Sequence, residues 1–357
     1  MNTTVTNSQT QPIVIAHRGA SGYMPEHTLA AYSIAILQGC DFIEPDLVIT
    51  KDGHLIARHD NRLDISTDIA SRPGFASRKT TRTVDGVELE GWFSEDFTLT
   101  EIKQLRAIER IPETRPHNCR FDGMFEIPTL TEIIQLAKGF EPLRGKAIGI
   151  YPETKHPSHF QQAGLPMEQT LVNTLHEAGY TNPDAPVFLQ SLEVSNLRLL
   201  STLTNLPLIQ LLRATGQPRD QAICGNSLSY DDMATRTGLK NIAEYAQGVG
   251  PEKYHFIIPP DRDGALHASN ATPFVQYAHE AGLKVHPYTF RAEAEFLPSN
   301  LQAYALRDKQ EPLINELLLF LNAGVDGFFV DQPELGAEAV RRFMAGRSKN
   351  VPIDFMR

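Results

Sequence analysis

Two carboxylates two residues apart, Glu44 and Asp46, interrupt an otherwise apolar, strand-like run from Asp41 to Thr50. Residues i and i+2 of a strand share a face. Both therefore point one way, where burying unpaired charge is costly and like charges stay ionised only if a cation compensates them. A third carboxylate, Glu153, ends a second apolar run, Ile148-Gly149-Ile150-Tyr151-Pro152-Glu153. Each alone reads as a solvated residue at a strand edge, where such charges usually lie. Three from two strand ends can instead meet at one mouth and hold a metal. All-oxygen ligation suits Mg²⁺ or Ca²⁺, and the absence of thiolate or paired-imidazole spacing argues against structural Zn²⁺.

His17 ends the apolar run Ile13-Val14-Ile15-Ala16, and His59 ends Leu55-Ile56-Ala57-Arg58. A histidine taken alone is more often a satisfied core residue than a catalytic one. Two that end apolar strands flanking a carboxylate cluster suit acid–base work near neutrality, such as phosphodiester cleavage requires. Arg18 and Lys155 either pair with the carboxylates or, beside a metal, neutralise a phosphate in the transition state. Glu26 and Thr28 read as residues that shape a loop and cap a helix, with Glu26 also able to hold a substrate hydroxyl. Gln190, His286, Tyr288 and Asp331 sit at predicted strand ends and are candidates for the mouth.

The elements that must position these residues repeat one design, an apolar strand delivering a polar residue at its C-terminal end. That is the layout of a parallel α/β barrel. Strands are expected at Ile13–Ala16, Asp41–Thr50, Ala147–Lys155, Val187–Ser191, Leu206–Leu212, Gly248–Tyr254, Leu283–Thr289 and Gly327–Val330. The His59 strand follows an Asp52-Gly53 hairpin turn as an extension of the second. Helices are expected after Thr28 and at Glu132–Lys138, Met167–Ala178, Ser195–Leu203, Thr272–Ala281, Pro312–Ala323 and Glu334–Met344. Residues 61–125 lose this pattern and read as a lobe inserted after the second strand, with a short helix at Thr100–Glu109 behind a Thr98-x-x-Glu101 capping box. Its Trp92, Phe93 and Phe97 form either the lobe's small core or a cage for a choline-like cation.

His17-Arg18-Gly19-Ala20, Pro25-Glu26-His27-Thr28, Glu44-x-Asp46 and His59-Asp60 together resemble the signature of the glycerophosphodiester phosphodiesterases. The resemblance extends to Gly149–Lys155, to His286-Pro287-Tyr288-Thr289 and to Gly324-Val325-Asp326-Gly327 before Asp331, so it spans almost the whole chain. It is closest to the bacterial branch that acts on water-soluble substrates. It implies a single (β/α)₈ TIM barrel over residues 1–357 carrying the lobe. The implied reaction is metal-dependent hydrolysis of a glycerophosphodiester to sn-glycerol 3-phosphate and an alcohol. It further implies one divalent cation, Ca²⁺ or Mg²⁺, on Glu44, Asp46 and Glu153, His17 and His59 as acid and base, and Arg18, Lys155, Glu26 and Gln190 around the substrate. Two rivals are a phospholipase acting on intact lipid and a non-catalytic phosphodiester-binding protein; the second has no use for an acid and a base.

With 43 acidic and 33 basic residues and a net charge of −10, the chain is expected to bind no nucleic acid. The expected partner is a small-molecule diester drawn in by local positive charge. Cys40, Cys119 and Cys224 are widely spaced and odd in number, and are expected to be buried, free and inert. Met1 to Gln11 is polar and shows no secretory leader, and no run reaches the roughly 18 apolar residues of a spanning helix. The expected compartment is cytoplasmic if the chain is complete and periplasmic if a leader has been removed. Membrane insertion is not expected, and the sequence leaves the oligomeric state open.

Overall fold

The computed structural model describes residues 11–305 and 310–348, so the segment read for a leader lies, up to residue 10, outside the described residues. In chain order the strands are β1 (Ile13–His17), β2 (Phe42–Glu44), β3 (Asp46–Ile49), β4 (Leu55–Ala57), β5 (Thr80–Val84), β6 (Val87–Gly91), β7 (Gly149–Ile150), β8 (Glu153–Thr154), β9 (Leu189–Ser191), β10 (Leu208–Leu212), β11 (Gly248–Pro251), β12 (Lys284–Val285) and β13 (Gly327–Val330). Parallel pairing runs β13-β1-β2-β7 in one sheet and β12-β11-β10-β9-β8-β3 in another, with β4 antiparallel on β3.

The two sheets are parts of one ring. A proline bends each carboxylate-bearing stave: Pro45 divides β2 from β3, and Tyr151-Pro152 divides β7 from β8. Proline offers no N–H, but its carbonyl still accepts. Glu153 N donates to Pro45 O at 2.9 Å and Gln190 N to Pro152 O at 3.0 Å, so pairing passes through both bends. The other seam is closed by Asp326 N to Val285 O (2.9 Å), Phe329 N to Pro287 O (3.0 Å) and Phe290 N to Phe329 O (2.8 Å). The staves are thus β1, β2/β3, β7/β8, β9, β10, β11, β12 with its continuation to Phe290, and β13. This is the expected barrel.

Inside the ring, Ile15, Tyr151, Ile209 and Phe329 form a small buried cluster beneath the mouth, with Phe42 and Phe188 packed against it. The larger core lies between the staves and the surrounding helices. The helix Leu29–Leu37 starts as its sequence suggests, Thr28 Oγ1 accepting from Ala31 N at 3.0 Å. Two later helices, Phe274–Glu280 and Glu311–Asn322, end just before glycines with positive φ, Gly282 (82°) and Gly324 (98°), which turn the chain into β12 and β13.

Residues 61–125 fold into short 3₁₀ turns and the antiparallel hairpin β5–β6. The helix expected at Thr100–Glu109 is only Leu99–Ile102, behind the capping box that was read for it. It stops early because Ala107 N bonds Phe125 O at 2.8 Å and residue 107 bridges Thr67, which holds this stretch extended. Trp92, Phe93 and Phe97 are buried. The Phe97 ring is covered by Arg78 at 3.8 Å and Phe93 by Arg82 at 5.2 Å, so the protein's own cations occupy the faces a choline cage would need. The cysteines are free, but only Cys40 is buried; Cys119 is partly covered and Cys224 exposed, which corrects the expectation for two of the three.

Candidate active site

Barrel register brings the chemistry together. His17 pairs with Glu44 across β1–β2, Asp46 with Glu153 across β3–β8, and Glu153 with Gln190 across β8–β9. Four neighbouring staves thus deliver these residues to one end of the ring. The carboxylate oxygens of Glu44, Asp46 and Glu153 lie within 4.8 Å of one another, and all three residues are buried. A cavity of about 370 Å³ opens over them, and His17, Arg18, His59, Lys155 and Gln190 share its wall.

The three carboxylates are unequally compensated. Asp46 Oδ2 lies 2.9 Å from His27 Nε2 and 3.1 Å from Arg18 Nε, and Oδ1 is 3.6 Å from Lys155 Nζ. The Arg18 N–H is not aimed at Asp46, so that contact is an ion pair rather than a hydrogen bond. Against the cost of burial, Lys155 and Arg18 hold Asp46 well below the usual carboxylate range. Lys155 Nζ also donates to Glu153 Oε1 at 2.8 Å. Burial still pushes Glu153 up to about 7, with Asp46 adding to the effect and Lys155 opposing it. Glu44 receives Arg18 N at 3.0 Å and Gln190 Nε2 at 3.0 Å, both weak compensation. Burial, then the Asp46 and Glu153 charges, drive it well above its ordinary range.

Glu44 and Glu153 are thus under-compensated carboxylates whose charge a divalent cation would offset. The donor set is all oxygen, and Gln190 Oε1 is buried beside it without a hydrogen-bond partner among the described residues. These residues fit a hard cation such as Mg²⁺ or Ca²⁺.

The two histidines are held differently. His17 Nδ1 meets Asp331 Oδ1 at 2.6 Å. Asp331 Oδ2 in turn accepts from Arg115 at 2.5 Å and Arg291 at 2.9 Å. His59 Nδ1 lies 3.2 Å from Asp60 Oδ1 without hydrogen-bond alignment, and its side chain is 27% exposed against 11% for His17. Burial, then Arg18, lowers His17 to about 4, with Asp331 opposing. Burial, then Arg18 and Lys155, lowers His59 to about 3.

Glu26 stands behind this wall, its carboxylate accepting from Arg18 at 2.8 Å and Arg110 at 3.3 Å. Tyr288 lines the cavity, whereas His286 lies below it in the ring interior, 1% exposed and bonded to Tyr151 OH at 2.9 Å. Four contributors were not singled out from the sequence. His27 bridges Asp46 and Tyr32 OH, with φ at 56°; its place inside Pro-Glu-His-Thr was the available signal. Buried Arg58 ties the lobe to the His27 carbonyl at 2.9 Å. Arg110 and Arg115 reach in from the lobe to Glu26, Asp60 and Asp331. No local spacing marks that pair, because its partners lie 50 to 216 residues away in the chain.

Residues 17–335 match the family described as glycerophosphoryl diester phosphodiesterase. A glycerophosphodiester phosphodiesterase of Haemophilus influenzae is 32% identical over 358 residues, covering 94% of this chain and 92% of that one. A glycerophosphodiester phosphodiesterase of Arabidopsis thaliana, GDPD6, is 34% identical over 333 residues, covering 90% and 84%. Among solved structures, a phosphodiesterase of Oleispira antarctica in complex with the product sn-glycerol 3-phosphate superposes with a TM-score of 0.56 at 20% identity, over 93% of this chain and 97% of that one. A glycerophosphodiester phosphodiesterase of Agrobacterium tumefaciens gives 0.55 at 18%, over 92% and 99%. At these identities the superpositions speak for the fold.

Proposed function

This chain belongs to the glycerophosphoryl diester phosphodiesterase family and is an enzyme of that activity, and from that premise we propose how its site works. The substrate is a small glycerophosphodiester, and the products are sn-glycerol 3-phosphate and the alcohol. What carries the reading is the convergence on one wall of a carboxylate triad, two cations and two histidines in unlike settings.

Glu44, Asp46 and Glu153 hold one divalent cation, Mg²⁺ or Ca²⁺. When bound, it withdraws charge from the phosphate oxygens and so stabilises the transition state. Arg18 and Lys155 bind the same phosphate from the cavity wall, Glu26 holding the Arg18 fork in place. Gln190 orients Glu44. His17, its Nδ1 engaged by Asp331, presents Nε2 as an acceptor and takes the proton of the glycerol hydroxyl next to the phosphate. That oxygen bonds phosphorus, the bond to the alcohol breaks, and the alcohol leaves with a proton from His59. Water then opens the cyclic phosphate with the roles reversed.

His59 is the better placed acid because it is the more open of the two and its carboxylate contact is loose. Burial, then Arg18 and Lys155, depresses the His59 pKa; a bound phosphodiester anion offsets the two charges and so favours the protonated form. The experiment is release of sn-glycerol 3-phosphate from a panel of glycerophosphodiesters, with and without chelator. Turnover that persists after verified metal removal rejects the cation; absence of any turnover by the metal-loaded protein rejects the activity.

A further inference from the structure

The cavity does not end at the phosphate-binding wall. A second hollow of about 200 Å³ adjoins it, sharing Glu153, Lys155, Leu192 and Arg213 with it. Asp85, at the β5–β6 turn of the lobe, bounds this hollow, its Oδ2 2.6 Å from His156 Nδ1.

Other cations of the main cavity each have a carboxylate partner. Arg18 pairs with Glu26 and Asp46, and Lys155 with Glu153 and Asp46. Lys253 pairs with Glu316 at 2.6 Å and Arg291 with Asp331 at 2.9 Å. Arg213 differs. It directly follows β10, is exposed, lines both hollows, and has no carboxylate within 4.0 Å among the described residues. Its charge reaches the buried phenol of Tyr230 and the half-buried phenol of Tyr288, opposing the rise that burial causes in both. Arg219, which lines the second hollow, likewise has no ion pair among the described residues.

Two nearby carboxylates are engaged elsewhere: Glu193 takes the Ser158 hydroxyl and its amide (3.4 Å), and Glu252 accepts from His255 N at 2.7 Å. Asp85 holds His156 through Oδ2, and its other oxygen, without a hydrogen-bond partner among the described residues, faces the charge of Arg219 rather than Arg213. A guanidinium without a carboxylate partner on the wall of such a cavity is matched by an oxyanion, carboxylate or phosphate, that offers two oxygens to its two parallel N–H donors. On a chain of net charge −10, such local cations are what makes an anionic substrate acceptable.

We propose that Arg213, with Arg219 beyond it, forms a subsite for an anionic group carried by the alcohol half of the diester, a carboxylate or a phosphate monoester. The enzyme then favours diesters of acidic alcohols over those of ethanolamine or choline. This rests on the activity above and names its substrate class.

The test compares substrates that differ by one anion. Glycerophosphoserine exceeds glycerophosphoethanolamine by a carboxylate, and glycerophosphoglycerol 3-phosphate exceeds glycerophosphoglycerol by a phosphate. The readout is the ratio of kcat/KM within each pair. Arg213→Ala lowers the acidic-to-neutral ratio about tenfold to a hundredfold, as loss of a charge-assisted hydrogen bond does. Arg213→Glu lowers it further, Arg213→Lys restores part of it, and Arg219→Ala lowers it less. A response in one pair alone identifies the anion. Arg213→Gln, nearer in size, serves if the alanine variant is poorly folded. Cleavage of the neutral diesters with a ratio unmoved by every Arg213 substitution overturns the subsite alone. Failure of the wild type to cleave any of the four overturns the activity and the subsite with it.

Discussion

At the scale of the residue, the site is a problem of charge compensation. Burial, with the Asp46 charge adding to it, pushes Glu153 up to about 7, and burial with the Asp46 and Glu153 charges raises Glu44 above its ordinary range, so cation binding is expected to be linked to proton release. Metal affinity should therefore strengthen as pH rises from about 6 to about 8, by roughly tenfold per proton displaced per pH unit. Isothermal calorimetry in buffers of unlike ionisation enthalpy reads the released protons directly. A pH-independent affinity would remove these carboxylates as ligands. Glu44→Gln should reduce the effect to the share carried by Glu153 and cut turnover by orders of magnitude while leaving the thermal transition nearly in place.

The histidines allow a sharper test. Loss of a leaving-group acid costs roughly 10² to 10⁴ on an alkoxide ester but little on a nitrophenolate. His59→Ala should thus impair glycerophosphocholine far more than glycerophospho-p-nitrophenol, and His17→Ala both alike. Equal losses on both substrates for both variants would show that neither is the acid.

At the scale of the element, the lobe does two separable things. Its inner residues Arg110 and Arg115 neutralise Glu26, Asp60 and Asp331 behind the catalytic wall. Removing them leaves Glu26 to Arg18 alone and Asp331 to Arg291 and His17, and should lower the melting temperature. The β5–β6 hairpin instead projects an exposed pair of strands whose turn touches His156 through Asp85. Shortening the hairpin alone, residues 80–91, should admit bulkier diesters with little loss of stability. The measurement is kcat/KM across diesters of increasing size beside the melting temperature. Unchanged selectivity in a folded variant would make the hairpin structural, with no part in filtering substrates.

At the scale of the molecule, the two ends of the barrel answer differently to pH. Opposite the mouth, His279 Nε2 meets Asp326 Oδ2 at 2.9 Å, and Asp326 also accepts from Val285 N of β12 at 2.8 Å. The bond to Asp326 raises the His279 pKa, against burial. A group whose pKa is higher folded than unfolded stabilises fully below its unfolded value, about 6.5, and loses that contribution as pH rises through the folded value. Asp326 is held below its ordinary range in spite of burial, chiefly by the same bond, so its share is lost in acid. Melting temperature should decline through the window just above pH ~6.5, and His279→Gln should flatten that part of the profile. An identical slope in the variant would assign the decline to other groups.

What the sequence determined by itself was local. Apolar runs that end in His17 and Glu153, or carry Glu44 and Asp46 in their middle, marked the staves, and strand alternation put that carboxylate pair on one face, because it needs no partner to be read. Thr28 and Thr98 marked helix starts for the same reason, a cap being a bond within three residues. The lobe was visible only as a loss of pattern, since its hairpin is exposed on both faces and its 3₁₀ turns carry no periodicity. Tertiary structure decided the rest. It drew Arg110 and Arg115 behind the cavity wall, put His286 under the cavity rather than on it, set His27 on Asp46, and left Arg213 without a carboxylate partner among the described residues. Those outcomes depend on which carboxylate lies within about 4 Å of which cation once the ring has closed, a distance that no spacing along the chain encodes.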